Sequence, residues 1–389
     1  MKYDFDRHHE RRGTDCHNYD GFPADPADVM PLMAADMDFQ TLPEITEALR
    51  QVIDRGIYGY AVDCLPGYSE AVLGWYAERQ NWNPPEEWLV SCRNVVSATA
   101  MLLCANTAPG DAVMTFTPIY SPFLAVIQKN NRRVVECPLT LCEERWEIDF
   151  ELFERQIVCE KVRMLLLCSP HNPVGRVWTR GELSHIARFC AEHGVFVVSD
   201  EIHSDFVFSG HRHLPFLSLP EADLRRCACC TSANKTFNLA LFDNANIFIP
   251  DEACRKAFQA AQAASYVEGG NYLGKLACAT AYRCGAPWVD ELITYLAESL
   301  AQAVDFLRRE LPELRVTRPE GTYLLWVDCR ALGMEPQQLS DFVLQRARLR
   351  LVNGAGYGTG GDGYLRINAA RPRAELMEAL VRLRDAVRS

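Results

Sequence analysis

Residues 231–243 read TSANKTFNLALFD, an almost uncharged stretch with Lys235 three residues after Ser232 and Asp243 eight residues further on. Burial of a lysine in apolar surroundings penalises its ammonium form. The neutral amine can then add to a carbonyl. A solvated surface lysine is the plainer reading of the same residue. Upstream, Asp200 in SDEIHSD could hold a bound pyridine nitrogen protonated by charge pairing, or could cap a helix. Tyr120 in TPIYSPF offers a flat face for stacking, or packs a core. Asn172 in SPHNPVG adds an amide. Each group follows an apolar run: DAVMTF (111–116), VRMLLLC (162–168), VFVVS (195–199) and ACCTS (228–232). In open α/β sheets ligands bind beyond the carboxyl ends of the strands, so four such endings on one edge make a site.

The elements that must hold these groups are legible as patterns. The four runs are nearly continuous in apolar residues, which suits strands covered on both faces. Helix candidates lie between them, near 121–130 and 180–193. TRGELSHIARFCAEHG puts Leu183, Ile186, Ala187 and Cys190 on one face and stops at Gly194. The alternation predicts an α/β layer with a mostly parallel sheet. After position 285 the pattern changes. A long helix (287–310) leads to short antiparallel strands in LRVTRPEGTYLLWVD, then to a helix over 336–347, a Gly-rich segment, GYLRIN, and a last helix from 373. That predicts a smaller α+β domain. The expected division is 1–45 as an N-terminal segment joining the small domain, 46–285 as the large domain and 286–389 as the small one. A chain of 389 residues is long enough for both.

Composition narrows the function classes. With 48% hydrophobic and 23% charged residues the chain reads as a soluble globular protein. A net charge of −11 argues against nucleic acid and anionic membrane surfaces as partners. There is no run of 18 apolar residues, and MKYDFDRHHERR lacks an apolar signal core, so a cytoplasmic protein is expected. The sixteen cysteines read as reduced packing residues. GTGGDG (358–363) matches a dinucleotide loop, but a strand-like YLRIN follows it where a helix is required, so it reads as a loop over the site. His8, His9 and His17 have no compact ligand set, so no metal is expected. HRH (211–213) reads as a solvated loop.

The order and spacing of Asn172, Asp200 and Lys235 resemble those of fold-type I pyridoxal 5'-phosphate (PLP) enzymes. Essentially the whole chain resembles the class I/II aminotransferase superfamily. Within it, PLMAADMDF (31–39), YGY (58–60), DEIHSD (200–205), SANKTFNLA (232–240), GTYLLWVD (321–328) and GYLRINAARPR (363–373) look like the MalY/PatB-type cystathionine beta-lyases. His203 is the more telling mark, since the aminotransferases usually place a tyrosine there. The resemblance implies the fold-type I transferase fold, with a mostly parallel seven-stranded sheet in the large domain. It also implies roles. Lys235 would bind PLP and then act as the base for the substrate α-proton. Asp200 would pair with the ring nitrogen. Asn172, with His203, would bond the ring oxygen and border the substrate. Tyr120 would stack on the ring. The backbone at Val95 and Val96, opening a helix, would donate to the phosphate, joined by the Ser232 hydroxyl. Tyr60 would reach the phosphate from the other subunit of a homodimer and join Lys235 among the catalytic groups. Arg366 would grip the substrate carboxylate.

The chain departs from the family pattern at three places: Met33 stands for a tryptophan, Asn94 for a glycine, and Leu241, Phe242 and Asp243 for a glycine–leucine–basic sequence whose last side chain meets the phosphate. Asp243 is therefore expected to face the phosphate without an evident local counter-charge. At ~4 Å and an effective dielectric of about 20, one unit-charge pair is worth roughly 4 kcal/mol. The expected function is cleavage of the Cβ–S bond of a cysteine thioether such as cystathionine. A PLP-dependent aminotransferase is the alternative, and a PLP-fold regulatory or binding protein with weak catalysis a second one.

Overall fold

The computed structural model of the protein describes residues 2–62, 64–267 and 270–389. Seven strands make the central sheet: β1 (Leu89–Cys92), β2 (Ala112–Thr117), β3 (Arg133–Pro138), β4 (Val162–Cys168), β5 (Phe196–Asp200), β6 (Cys227–Thr231) and β7 (Ala245–Phe248). Their order across the sheet is β1-β7-β6-β5-β4-β2-β3. Only β7 runs against its neighbours. Every residue of β2, β5, β6 and β7 is buried. The strict alternation of side chains explains how: Met114, Leu165, Val197 and Cys229 enter one core, while Val113, Leu166, Val198 and Cys230 enter the other. The helices Tyr68–Gln80 and Tyr272–Cys284 cover the first face through Trp75 and Tyr282. The helices Val95–Asn106 and Glu252–Ala264 cover the second through Leu102 and Phe258.

A second sheet has four strands, β8 (Arg315–Val316), β9 (Leu324–Asp328), β10 (Val352–Asn353) and β11 (Tyr364–Asn368), antiparallel throughout in the order β8-β9-β11-β10. The N-terminal stretch is stitched to this part of the chain. Met30–Pro31 pairs in parallel with Leu349–Arg350. The Asn368 amide nitrogen Nδ2 donates to the carbonyls of Ala34 (2.6 Å) and Asp36 (2.7 Å). The Arg371 guanidinium meets the Asp38 carboxylate at 2.5 Å. Residues 33–36 are thereby drawn across the space between the two sheets' polar strand ends.

The expected strands and helices are present, with ends moved by a residue or two. The run 195–199 becomes Phe196–Asp200, so Asp200 is the last strand residue. The helix at 180–193 is Arg180–Glu192, started by a reciprocal cap between Thr179 and Glu182. Strands β1, β3 and β7 carried too little pattern to be expected. β3 lies on the edge of the sheet and β7 has four residues, one of them the buried Asn246, which is bonded to the Tyr68 hydroxyl. Among the described residues no helix is long and apolar enough to cross a membrane.

Candidate active site

Lys235 sits in the one-turn helix Ala233–Thr236 that follows β6. Its Nζ donates to the carbonyl oxygen of Ala35 at 2.6 Å. Burial pulls the amine down to about 8, helped by the nearby Arg366 charge and opposed by Asp36 and Asp200. A lysine so placed exchanges between ammonium and free amine near neutral pH.

Asp200 closes β5 with 6% of its surface exposed. Burial, with the charge of Glu201, pushes its carboxyl up to about 7, against the amide of Ile202 (3.0 Å) and the lysine. No ion pair holds it among the described residues. A buried carboxyl of this kind lacks a cation, and a protonated ring nitrogen would supply one. His203 is buried and held neutral: burial, then the Lys235 and Arg366 charges, pull it down to about 3. Its Nδ1 has no hydrogen-bond partner.

Arg366 lies on β11 opposite Trp326 on β9, 3% exposed. It donates to Asn172 Oδ1 (3.2 Å) and to the Met33 carbonyl (2.7 Å), and its Nε has no partner. Its guanidinium lies 5.5 Å from the Tyr357 ring centroid. A buried guanidinium without a carboxylate is costly in isolation and waits for an anion. Tyr120 precedes the helix Ser121–Lys129, its amide bonded to the Asn172 carbonyl at 3.2 Å. Burial raises its hydroxyl, with Arg366 and Asp200 both close enough to act on it.

Val95 and Val96 are the first two residues of the helix Val95–Asn106, capped by Asn94 Oδ1 accepting from the Ser97 amide at 2.8 Å. Their amides have no carbonyl one turn back, which suits an anion. Ser232 Oγ donates to the Asn244 carbonyl (2.6 Å) and accepts from the Asn234 amide (3.0 Å), so its single O–H is engaged. Tyr60 is not brought to this cluster: it is fully exposed, beside exposed Ile57, Tyr58 and Val62.

Two expectations are corrected. Asp243 is not without a counter-charge: its carboxylate pairs with Arg93 at 3.0 Å, one residue before the Asn94 cap. The antiparallel register Ala245↔Cys92 carries the two chain segments side by side, which puts Arg93 within reach. HRH is not wholly solvated: His213 is buried, its Nε2 2.9 Å from Glu201 Oε2, because a carboxylate buried behind Asp200 needs donors. Cys92 and Cys168 lie in the core, where burial pushes both thiols up and away from thiolate. Sequence reasoning passed over the Ala35 carbonyl, because a backbone oxygen leaves no mark on a pattern, and it passed over Arg93, an exposed arginine in no motif.

The fold is that of the class I and II aminotransferase family. The chain belongs to it: the family's model matches residues 27–383. The chain is 38% identical to cystathionine beta-lyase PatB of Bacillus subtilis, over 98% of this chain and 99% of that one. It is 32% identical to MalY of Escherichia coli, over 100% and 99% of the two chains. Among solved structures, cystalysin from Treponema denticola, which contains a pyridoxal 5'-phosphate cofactor, matches with a TM-score of 0.95 at 33% identity, covering 100% of this chain and 99% of its own.

Proposed function

We propose that the protein is a PLP-dependent carbon–sulfur β-lyase that converts L-cystathionine or a related cysteine thioether, with water, to a thiol, pyruvate and ammonia. The observation that carries this reading is a pair of buried, oppositely charged side chains, Asp200 and Arg366, neither in an ion pair among the described residues and both acting on a lysine whose amine is pulled down to about 8. The likeness to PatB and cystalysin supports it. The residues fit PLP: a carboxyl lacking a cation for the ring nitrogen, the free Nδ1 of His203, and open amides at a helix start for the phosphate.

Bound PLP supplies an electron-withdrawing ring that acidifies the substrate α-proton. Asp200 would keep the ring nitrogen protonated, Asn172 and His203 would bond the ring oxygen, and Tyr120 would offer its ring for stacking. The open amides of Val95 and Val96 would hold the phosphate, and Ser232, whose one O–H is given to the Asn244 carbonyl, would join them only by turning that O–H away. Arg366 fixes the substrate by its carboxylate, which sets the orientation of the α-proton relative to Lys235. Lys235 takes that proton on its lone pair and carries it as an ammonium, close to the departing sulfur. Tyr60 enters from the second subunit of a homodimer, which buries the exposed Ile57, Tyr58, Leu241 and Tyr266. The working protein is cytoplasmic, with a large domain over 46–285 and a small one built from 286–389 and the N-terminal segment.

Incubating PLP-loaded protein with L-cystathionine tests the reading. Thiol and pyruvate released in equal amounts are expected. Amino-group transfer to an oxo acid without thiol release would make it an aminotransferase, and no turnover of either kind would leave a binding protein.

A further inference from the structure

The carbonyl oxygen of Ala35 accepts two side-chain hydrogen bonds, from Lys235 Nζ at 2.6 Å and from the Tyr323 hydroxyl at 2.8 Å. Tyr323 has no exposed surface. Its ring stands edge-on to Phe206 (centroids 4.8 Å, 87°) and 5.8 Å from His203. The turn before it is built with effort. A Cβ on Gly321 would meet the Phe206 carbonyl oxygen at 2.6 Å. Thr322 is held at φ +66°, a left-handed conformation that a β-branched residue rarely takes. Its amide is tied to the Phe206 carbonyl at 2.9 Å. Strain of this kind persists only where the surroundings over-determine the chain, and what it delivers here is the Tyr323 hydroxyl.

We propose that Tyr323 is a positioning residue for Lys235, acting through the Ala35 carbonyl. A neutral lysine amine has two N–H donors and one lone pair. With one N–H given to Ala35, the direction of the lone pair is restricted to an arc. The carbonyl can restrict it only if the carbonyl is itself fixed, and the bond from Tyr323 to its second lone pair does that. When the substrate α-proton moves to Lys235, the electron pair of the C–H bond stays with the substrate. The nitrogen becomes an ammonium with three N–H groups, one of which remains on Ala35. The same oxygen therefore aims the base before the transfer and receives the ammonium after it. The Ala35 carbonyl lies on the segment that Asn368 and Arg366 hold from the other sheet, so the lysine and its mooring come from opposite sides of the cleft.

The proposal rests on Lys235 as the proton carrier. A Lys235→Ala protein that keeps its turnover removes that foundation, whereas the Tyr323 tests below are read on protein with Lys235 intact. In Tyr323→Phe we expect kcat to fall about five- to thirtyfold, the loss of one well-placed hydrogen bond, with KM within twofold. The isotope effect on kcat with substrate deuterated at the α-carbon rises, because proton transfer becomes slower relative to other steps. A second readout needs no turnover: mixed with PLP, the cofactor-free variant captures it covalently more slowly in stopped-flow absorbance, since the amine is no longer aimed. A merely structural tyrosine would change Tm and leave the isotope effect and the capture rate alone. Either one unchanged in a folded variant overturns the proposal. Should Tyr323→Phe not fold, the same two measurements are made on protein carrying the α-hydroxy analogue of aspartate at position 36. That change turns the Ala35 carbonyl into a weaker ester acceptor with every side chain kept. A larger isotope effect and slower capture are again expected, and either one unchanged again overturns the proposal.

Discussion

Lys235 and Asp243 are eight residues apart and live under opposite conditions. The lysine belongs to a floor whose charged groups are buried and shifted: the amine down to about 8, Asp200 up to about 7, His203 down to about 3. The aspartate belongs to a rim, 38% exposed and paired with Arg93, 54% exposed. Two residues before it Leu241 is nearly bare to solvent, as are Tyr60 and Tyr266 elsewhere on the surface. The floor is finished within one chain, because the β-strand ends and the core beneath them fix each side chain. The rim leaves large apolar side chains in solvent. Perturbed charge distinguishes the floor, and exposed aromatic surface the rim.

Five experiments press on that contrast. The largest effect is expected from the floor. Lys235→Ala should lower turnover by at least about 10⁴-fold and abolish the absorbance of lysine-bound cofactor. If the rim is completed by a second copy, mixing this variant with Tyr60→Ala protein restores about a quarter of the wild-type rate, since half of randomly paired dimers contain one intact site. No recovery despite measured subunit exchange would place both residues in one site. Arg366→Ala should raise KM about a hundredfold, with PLP affinity little changed, because two charged hydrogen bonds to the substrate carboxylate are lost. An unaltered KM would take Arg366 out of the substrate contact.

Asp200 gives a stability test. Its folded value, about 7, is raised above that of an unfolded aspartate. The stability it contributes is thus fully present below about pH 4 and is lost as pH rises through about 7. In cofactor-free protein, Asp200→Asn should be more stable than wild type by about 2–4 kcal/mol at pH 8, a gap that closes toward pH 4. Urea midpoints at pH 4.5, 6 and 8 measure it, and a gap constant with pH would mean that Asp200 is not a desolvated acid. The smallest effect belongs to the rim. Arg93→Ala frees the Asp243 carboxylate and should raise the PLP dissociation constant about three- to tenfold, with solvent screening already counted. Arg93→Ala combined with Asp243→Asn should return most of it; equal constants for all three proteins would separate this pair from the phosphate.

What could be read from the sequence follows the same division. The floor announced itself, because buried strands leave unbroken apolar runs and the functional groups of Asn172, Asp200 and Lys235 come directly after them. Val95 and Val96 as a helix start came only with the family resemblance, since the strand before them is four residues long. The rim was not legible. Arg93 and Asp243 lie 150 positions apart and meet only through the pairing of two four-residue strands, too short to carry a period. The Asp243 carboxylate could be noticed, but not its partner. His213 misled because its neighbours His211 and Arg212 are solvated, and one buried histidine between polar residues has no pattern of its own. Tyr323 was visible as a letter in GTYLLWVD, but its hydroxyl bond ends on a backbone oxygen 288 positions away.

The parallel pairing of Met30–Pro31 with Leu349–Arg350 also has a meaning in time. The segment that offers its carbonyl to Lys235 leaves the ribosome early, and the strands that hold it in place leave last. At about 5–20 residues per second, roughly a quarter of a minute to a minute separates the two. The central sheet has all its strands by Phe248 and is free to fold while synthesis continues. The lysine, already in position, has nothing to rest on until the final strand Tyr364–Asn368 is out. A chain cut short before that point lacks Arg366 and Asn368, which hold the segment carrying the Ala35 carbonyl, so the mooring of the lysine waits on a strand made more than a hundred residues after it.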